Sequence, residues 1–239
     1  MNKSVSIIIP AYNEETKLKP TVDSVLERLR NNAISDFEII IFDDASTDKT
    51  GEVADGLAMQ FSQIKVVHNA KNMNLGFNIV RGFQLATKEY AGFVPGDNET
   101  TPEALDNIFQ AIGKADIVIP YIQNPEVRIW GRRILSKTYI AIINTAFGLK
   151  MRYYNGMCYF KTEMVKKVPV STHGFAYMTE ILIKLLKSGA NFVEVPMINR
   201  ARERGATKAF RLKNIASVFK TFLTLFWEVQ ILRKRINLS

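Results

Sequence analysis

The chain has 239 residues, with 32 Lys or Arg against 23 Asp or Glu for a net charge of +9, and is 47% hydrophobic and 23% charged. That composition excludes a disordered chain. The lone Cys158 excludes a disulfide scaffold or a cysteine zinc site and reads as a packing residue, and the length suits one large domain or two small ones with a sizeable core. Charge is unevenly placed, because residues 200–239 hold ten basic side chains against Glu203 and Glu228, an excess of eight that points to phosphate, anionic lipid or a solvated surface.

Residues 5–9 form a short β-branched run ended by Pro10, too short for a signal-peptide core or a membrane span, so no targeting segment is expected there. Residues 16–30 then place Leu18, Val22, Val25, Leu26 and Leu29 on one helical face. The alternation continues with a strand over 37–42, a helix from near Thr47, a strand over 64–67, a helix over 77–88, a strand over 91–94, a helix after Pro102 and a strand over 117–119. Strand and helix in turn predict an α/β domain with a mostly parallel sheet. Continuously apolar strands such as Ile39-Ile40-Ile41-Phe42 suit a sheet covered on both faces, whose ligands bind beyond the carboxyl ends of the strands.

After Tyr121 the alternation stops. Helices are expected over 129–147 and 177–188, on either side of a Tyr-rich segment around Asn155-Gly156, and a last helix over 211–235. This last helix sets Leu212, Ile215, Ala216, Phe219, Phe222, Leu223 and Phe226 against Lys213, Ser217, Lys220, Thr221, Thr224 and Glu228. It is expected to lie in a membrane interface, with Arg233-Lys234-Arg235 at anionic headgroups; a spanning helix and a core-packing or dimerisation helix are the alternatives. Trp130 and Trp227 read as core or interface. His68 and His173 lack companion ligands for zinc.

Polar residues gather where the ligand rule points. The first strand ends in Pro10-Ala11-Tyr12-Asn13-Glu14-Glu15, the second in Asp43-Asp44-Ala45-Ser46-Thr47-Asp48-Lys49-Thr50, and the fourth in Val94-Pro95-Gly96-Asp97-Asn98-Glu99. Adjacent carboxylates accept hydrogen bonds from a base N–H and from ribose hydroxyls, whereas Ser46 or Asp48 can equally cap the following helix. Asp97 and Glu99 can share Mg²⁺ or Mn²⁺, which binds through one or two carboxylates plus substrate phosphates, or can simply form a turn.

These residues resemble the nucleotide-sugar domain of family 2 glycosyltransferases, the GT-A fold, with its Pro-x-Tyr-Asn-Glu, Asp-Asp-x-Ser-x-Asp-x-Thr and metal-binding Asp-x-Asp. The first two match at every stated position, and Asn74-Leu75-Gly76-Phe77 with Arg81-Gly82 resembles the next segment, so the likeness runs over residues 4–120. It implies inverting transfer from a nucleotide diphosphate sugar held by Pro10, Ala11, Tyr12, Glu14, Asp43, Asp44, Asn74, Gly76 and Asp97. In the third motif Pro95 replaces the first Asp, leaving Asp97 with Glu99 as the metal ligands.

The second half is similar to the branch of dolichol-phosphate mannose synthases. The likeness rests on Arg132 to Ser136, on Asn155-Gly156 with Phe160-Lys161, on Glu194-Val195-Pro196 and on Arg202 to Lys208. It implies a polyprenyl phosphate acceptor whose phosphate meets Arg132, Arg133 and Ser136, with Arg202 and Lys208 helping the diphosphate to leave. Arg152, Cys158 and Thr207 depart from that branch's Asp, Arg and Ser.

Transfer onto a lipid phosphate gathers negative charge that needs cations and a metal, and Arg132, Arg133, Arg202, Arg204 and Lys208 can supply the cationic groups. A saccharide hydroxyl acceptor would instead need a base, for which Glu180 is the candidate. A degenerate donor site in a membrane- or partner-binding subunit is the non-enzymatic alternative. The expected organisation is a nucleotide-sugar half over 1–120, an acceptor half of the same domain over 121–209 and a basic amphipathic helix over 210–239. The expected location is the cytoplasmic face of a membrane, as a peripheral protein, with a homo-oligomer or membrane partner protein possible. Nucleic acid is not an expected partner, because the tail lacks interleaved exposed aromatics.

Overall fold

The computed structural model describes residues 3–125, 130–198 and 212–238, apart from the side chains of Arg132 and of residues 212–216. One seven-stranded sheet organises them: β1 (Ser4–Ala11), β2 (Asp36–Asp43), β3 (Ile64–His68), β4 (Tyr90–Phe93), β5 (Ile117–Ile122), β6 (Tyr159–Lys161) and β7 (Phe192–Met197), in the order β3-β2-β1-β4-β6-β5-β7. The helices are α1 (Leu18–Asn31), α2 (Thr50–Gln60), α3 (Leu75–Leu85), α4 (Pro102–Ala111), α5 (Trp130–Phe147), α6 (Thr162–Lys166), α7 (Tyr177–Lys187) and α8 (Leu212–Phe226), the last running into a π-helical turn, Trp227–Ile231. The α/β fold with a mostly parallel sheet is as expected.

The apolar strands are buried on both faces. Val5, Ile7, Ile8 and Ile9 of β1 and Ile39, Ile41 and Phe42 of β2 are inaccessible to solvent, as a sheet packed by helices on each side requires. Parallel register brings Ala11 level with Asp43, and Asp43 level with His68, so the carboxyl ends of β1, β2 and β3 share one rim. β4 ends beside them, with the Val94 amide donating to the Ile8 carbonyl at 2.9 Å and the Gly96 amide to the Pro10 carbonyl at 3.1 Å.

Two strands and one helix lie outside the sequence expectations. β6, only three residues long, inserts antiparallel between β4 and β5, and β7 pairs parallel with β5 at the sheet edge. Glycine makes the β4–β6 approach possible: a Cβ on Gly92 would stand 2.3 Å from the Tyr159 ring. The five-residue α6 follows β6 directly.

The last helix differs from its expected amphipathic division. Phe222 and Phe226 pack on Phe147 with centroids 6.0 and 6.1 Å away, and Leu225, Val229 and Thr221 are buried, although Thr221 was assigned to the polar face. Phe219, Leu223, Trp227 and Ile231 remain exposed. Trp130 and Trp227 are exposed, which rules out the core half of the expectation and leaves an interface. Among the described residues no helix is long and apolar enough to cross a membrane.

Candidate active site

The loops after β1 and β2 are fastened to each other. Asn13, with a left-handed φ of 57°, receives the Thr47 amide on Oδ1 at 2.8 Å and donates its own amide to Ser46 Oγ at 3.1 Å. The Glu14 amide donates to Thr50 Oγ1 at 2.7 Å, and Glu15 Oε2 accepts from the Lys49 amide at 3.0 Å. Asp48 Oδ1 accepts the Thr50 amide at 3.0 Å, closing the turn that leads into α2, whereas Ser46 joins the two loops. Pro10 and Ala11 are buried beneath this junction, and Tyr12 stands exposed above it.

Asp43 and Asp44 are both buried but do different things. Asp44 Oδ1 accepts from the Met73 amide and Asn69 Nδ2, each at 2.8 Å, and its Oδ2 from the Asn74 amide at 3.0 Å. Three donors on an acceptor with about four lone-pair sites make Asp44 mainly a clamp that sets Asn74 at the start of α3. Asp43 Oδ1 accepts the Ser46 amide at 3.0 Å, and Oδ2 lies 3.0 Å from His68 Nδ1. Burial opposes its ionisation, yet these hydrogen bonds prevail and hold the Asp43 carboxyl below its ordinary range. Gly76 follows in α3, where a Cβ would stand 2.3 Å from the His173 carbonyl, so only glycine admits that contact.

The third acidic end joins the first. Burial pushes the Glu14 carboxyl up; Lys17, 3.6 Å away, opposes this, and the charges of Asp97 and Glu99 add to it. Glu14 therefore feels the negative charge of both Asp97 and Glu99. The Glu99 amide donates to Asp97 Oδ1 at 3.1 Å around Asn98, whose φ is 54°. The carboxylate oxygens of Asp97 and Glu99 are hard ligands of the kind Mg²⁺ or Mn²⁺ takes. Among the described residues no group of three or more His, Cys, Asp or Glu is placed to hold a metal ion.

Segments that follow β5 reach the same rim. Thr100 Oγ1 donates to Met157 Sδ at 3.4 Å, tying the Asp97 loop to Asn155-Gly156-Met157. Thr179 Oγ1 donates to Asn155 Oδ1 at 3.4 Å and accepts from Tyr139 of α5 at 2.8 Å. Burial pushes the Tyr139 hydroxyl up to about 12, so it serves as a proton-bearing donor. Ser136 lies three residues before Tyr139 on α5 and Arg133 one turn earlier, both partly exposed. Arg132 belongs to α5, but its side chain, like all of Arg202, Arg204 and Lys208, lies outside the described residues.

Glu180 does not fit the role of base. It is 1% exposed, and its Oε1 receives the Ser171 amide at 3.0 Å and Lys184 Nζ at 2.6 Å. Oε2 receives the Ser171 and Thr172 amides at 3.1 and 3.2 Å. Every lone-pair direction is taken, so the carboxylate is a buried anchor for the segment carrying His173. Nothing local in the sequence marks His68 beyond a zinc ligand without companions, because its place opposite Asp43 depends on strand register.

The profile described as "Glycosyl transferase family 2" matches residues 6–179. The chain belongs to glycosyl transferase family 2. This glycosyltransferase is similar to a dolichol-phosphate mannosyltransferase of Pyrococcus furiosus, at 31% identity over 95% of this chain, and spans 65% of that protein's length. It is also similar to a polyprenol monophosphomannose synthase of Mycolicibacterium smegmatis, at 28% identity over 84% of this chain and 79% of the other. Among solved structures the glycosyltransferase fold is shared with glucosyl-3-phosphoglycerate synthase of Mycobacterium tuberculosis, crystallised with Mn²⁺, UDP and phosphoglyceric acid. That likeness has a TM-score of 0.67 and 16% identity, covering 95% of this chain and 78% of the other.

Proposed function

We propose that this glycosyltransferase moves one sugar, with inversion, from a nucleotide diphosphate sugar of uridine or guanosine to a polyprenyl phosphate. The observation that carries the reading is the meeting of three acidic strand ends at one rim, in a chain similar over 95% of its length to a dolichol-phosphate mannosyltransferase. In this reading residues 1–120 form the donor half, 121–209 the acceptor half and 210–239 a membrane-associating helix. Pro10, Ala11, Tyr12, Glu14 and Asp43 hold the nucleoside side of the donor, with Asn74 and Gly76 presented by the Asp44 clamp. Asp97 and Glu99 would hold Mg²⁺ or Mn²⁺, which supplies charge neutralisation for the departing diphosphate.

The chemistry asks little of a base. A phosphate oxygen of the acceptor, already ionised near neutral pH, attacks the anomeric carbon while the bond to the nucleoside diphosphate breaks and its electrons leave with the diphosphate. Arg132, Arg133 and Ser136 would orient the acceptor phosphate, and Arg202 and Lys208 would stabilise the leaving group. A saccharide hydroxyl would need a carboxylate free to take its proton, and the saturated Glu180 argues against that route.

The exposed Phe219, Leu223, Trp227 and Ile231, with Arg233, Lys234 and Arg235 exposed beyond them, suit peripheral binding to an anionic, cytoplasm-facing membrane surface. The test offers UDP- and GDP-sugars with Mn²⁺ and a polyprenyl phosphate to the full chain and to Asp97→Asn. The expected product is a polyprenyl phosphate sugar, reduced by about 100-fold or more in the variant, as loss of a charge-stabilising group predicts. Transfer to a free saccharide instead would overturn the acceptor assignment, and no sugar release from any donor would favour a non-catalytic subunit.

A further inference from the structure

His68 closes β3 level with Asp43 of β2, and both ring nitrogens are engaged. Nδ1 lies 3.0 Å from Asp43 Oδ2, and Nε2 lies 3.0 Å from Asp55 Oδ1 of α2. Both partners are carboxylates, which only accept. A neutral imidazole has one N–H and one lone pair, so it satisfies one of these contacts and turns its lone pair on the other carboxylate; only the doubly protonated ring satisfies both.

We propose that His68 is a positioning residue for the donor nucleoside, a cation held between Asp43 and Asp55 that fixes and partly neutralises the Asp43 carboxylate. The inference rests on the donor reading above and adds the group that acts on Asp43. The Ser46 amide on Oδ1 and the ring on Oδ2 stop the carboxylate turning, and with the Ser46 side chain they leave about one lone-pair direction for a base or ribose donor.

The surroundings agree. Gly51 of α2 abuts the pair, where a Cβ would stand 3.0 Å from Asp43 Oδ2 and 3.5 Å from His68 Cε1. On the other side the ring borders a cavity of about 340 Å³ that Asn69, Lys71, Met73, Phe77 and Arg81 also line. The charged groups around the ring are thus Asp43 from β2, Asp55 from α2, Lys71 after β3 and Arg81 from α3, the last occupied in part by a 3.1 Å hydrogen bond to Asn69 Oδ1. The hydrogen bonds to Asp43 and Asp55 raise the ring's pKa from 6.5 against the opposing effect of burial. The positive form therefore persists to higher pH than in an ordinary imidazole and is lost as pH rises through that raised value.

The experiment is calorimetric titration of UDP and of GDP, each with Mn²⁺, into the full chain from about pH 6 to about pH 9, a span that brackets histidine titration. It is run on the unaltered protein, His68→Gln, His68→Lys and Asp55→Asn, with thermal unfolding as the folding control. Ionisation of the nucleotide's own phosphate is common to all four and cancels in the comparison. The unaltered protein is expected to lose about tenfold in affinity as the ring deprotonates, the usual size of a charged hydrogen bond. His68→Gln is expected to bind about tenfold more weakly at low pH with that step gone. His68→Lys should restore affinity without the step, and Asp55→Asn should move the step to lower pH.

A purely structural tie predicts lower unfolding temperatures with an unchanged pH profile of binding, and that result overturns the proposal. Nucleotide binding that ignores all three substitutions does the same while leaving the donor reading intact. Failure of the unaltered protein to bind either nucleotide overturns both.

Discussion

Glu38 and Asp43 sit on the same strand, five residues apart, and do opposite kinds of work. Glu38 lies at the amino end of β2, 3% exposed, where Ser6 Oγ, the Thr87 amide and hydroxyl, and Lys65 Nζ all donate to it at 2.6 to 2.9 Å. Burial works against its charge, but these donors win and hold the carboxyl down at about 2 rather than 4.5. A depressed acid stabilises the fold at pH above its unfolded value and loses that contribution as pH falls through its folded value. Stability is therefore expected to drop between about pH 4.5 and about pH 2 in acid titrations followed by circular dichroism. Glu38→Gln should flatten that step and cost about 3 kcal/mol at neutral pH, the equivalent of the shift. A variant with unchanged acid sensitivity would contradict this account. The rim motifs were readable in the sequence because Pro10 to Glu14 and Asp43 to Thr50 are contiguous. Glu38 and His68 were not, because their partners Ser6, Thr87 and Asp55 come from other strands, a loop and a helix.

At the level of elements, α8 carries two apolar stripes where one was expected. One packs Phe222 and Phe226 on Phe147; the other leaves Phe219, Leu223 and Trp227 at four-residue spacing facing solvent. The periodicity of the sequence revealed an amphipathic helix but not the division, because which apolar residues meet the core depends on where α5 lies. Replacing Phe219, Leu223 and Trp227 together by Ser should abolish co-sedimentation with anionic vesicles and leave the unfolding temperature nearly unchanged. Phe226→Ala should do the reverse, costing about 2 to 3 kcal/mol for a half-buried aromatic while vesicle binding persists. Vesicle binding by the triple variant would remove the stripe from the membrane reading. β6 and β7 escaped sequence analysis for separate reasons. Three residues of β6 are too few for a period to register, and Glu194 and Pro196 interrupt β7 as only an edge strand tolerates.

Across the whole molecule, the sheet is completed by a strand from the far side of the chain. β4 and β5 are consecutive along the sequence but do not touch as neighbours; β6 stands between them, antiparallel to both. The fit is close, since Tyr159 covers Gly92 and meets Phe109 edge to face at 6.1 Å. Gly92→Ala would force the Tyr159 ring away and should cost about 1 to 3 kcal/mol by overpacking, seen as a lower midpoint in urea with an unchanged slope. An unchanged midpoint would show that the ring yields freely. The order of strands was beyond reach of the sequence because pairing across nearly seventy residues leaves no local trace. This topology also bears on how the enzyme comes into being. A nascent chain that has emerged from the ribosome as far as Ile122 holds all three acidic strand ends yet lacks the strand that seals β4, so its pairing edge stays open to neighbours and chaperones. That edge closes only when Tyr159–Lys161 has been made and pairs with both neighbours.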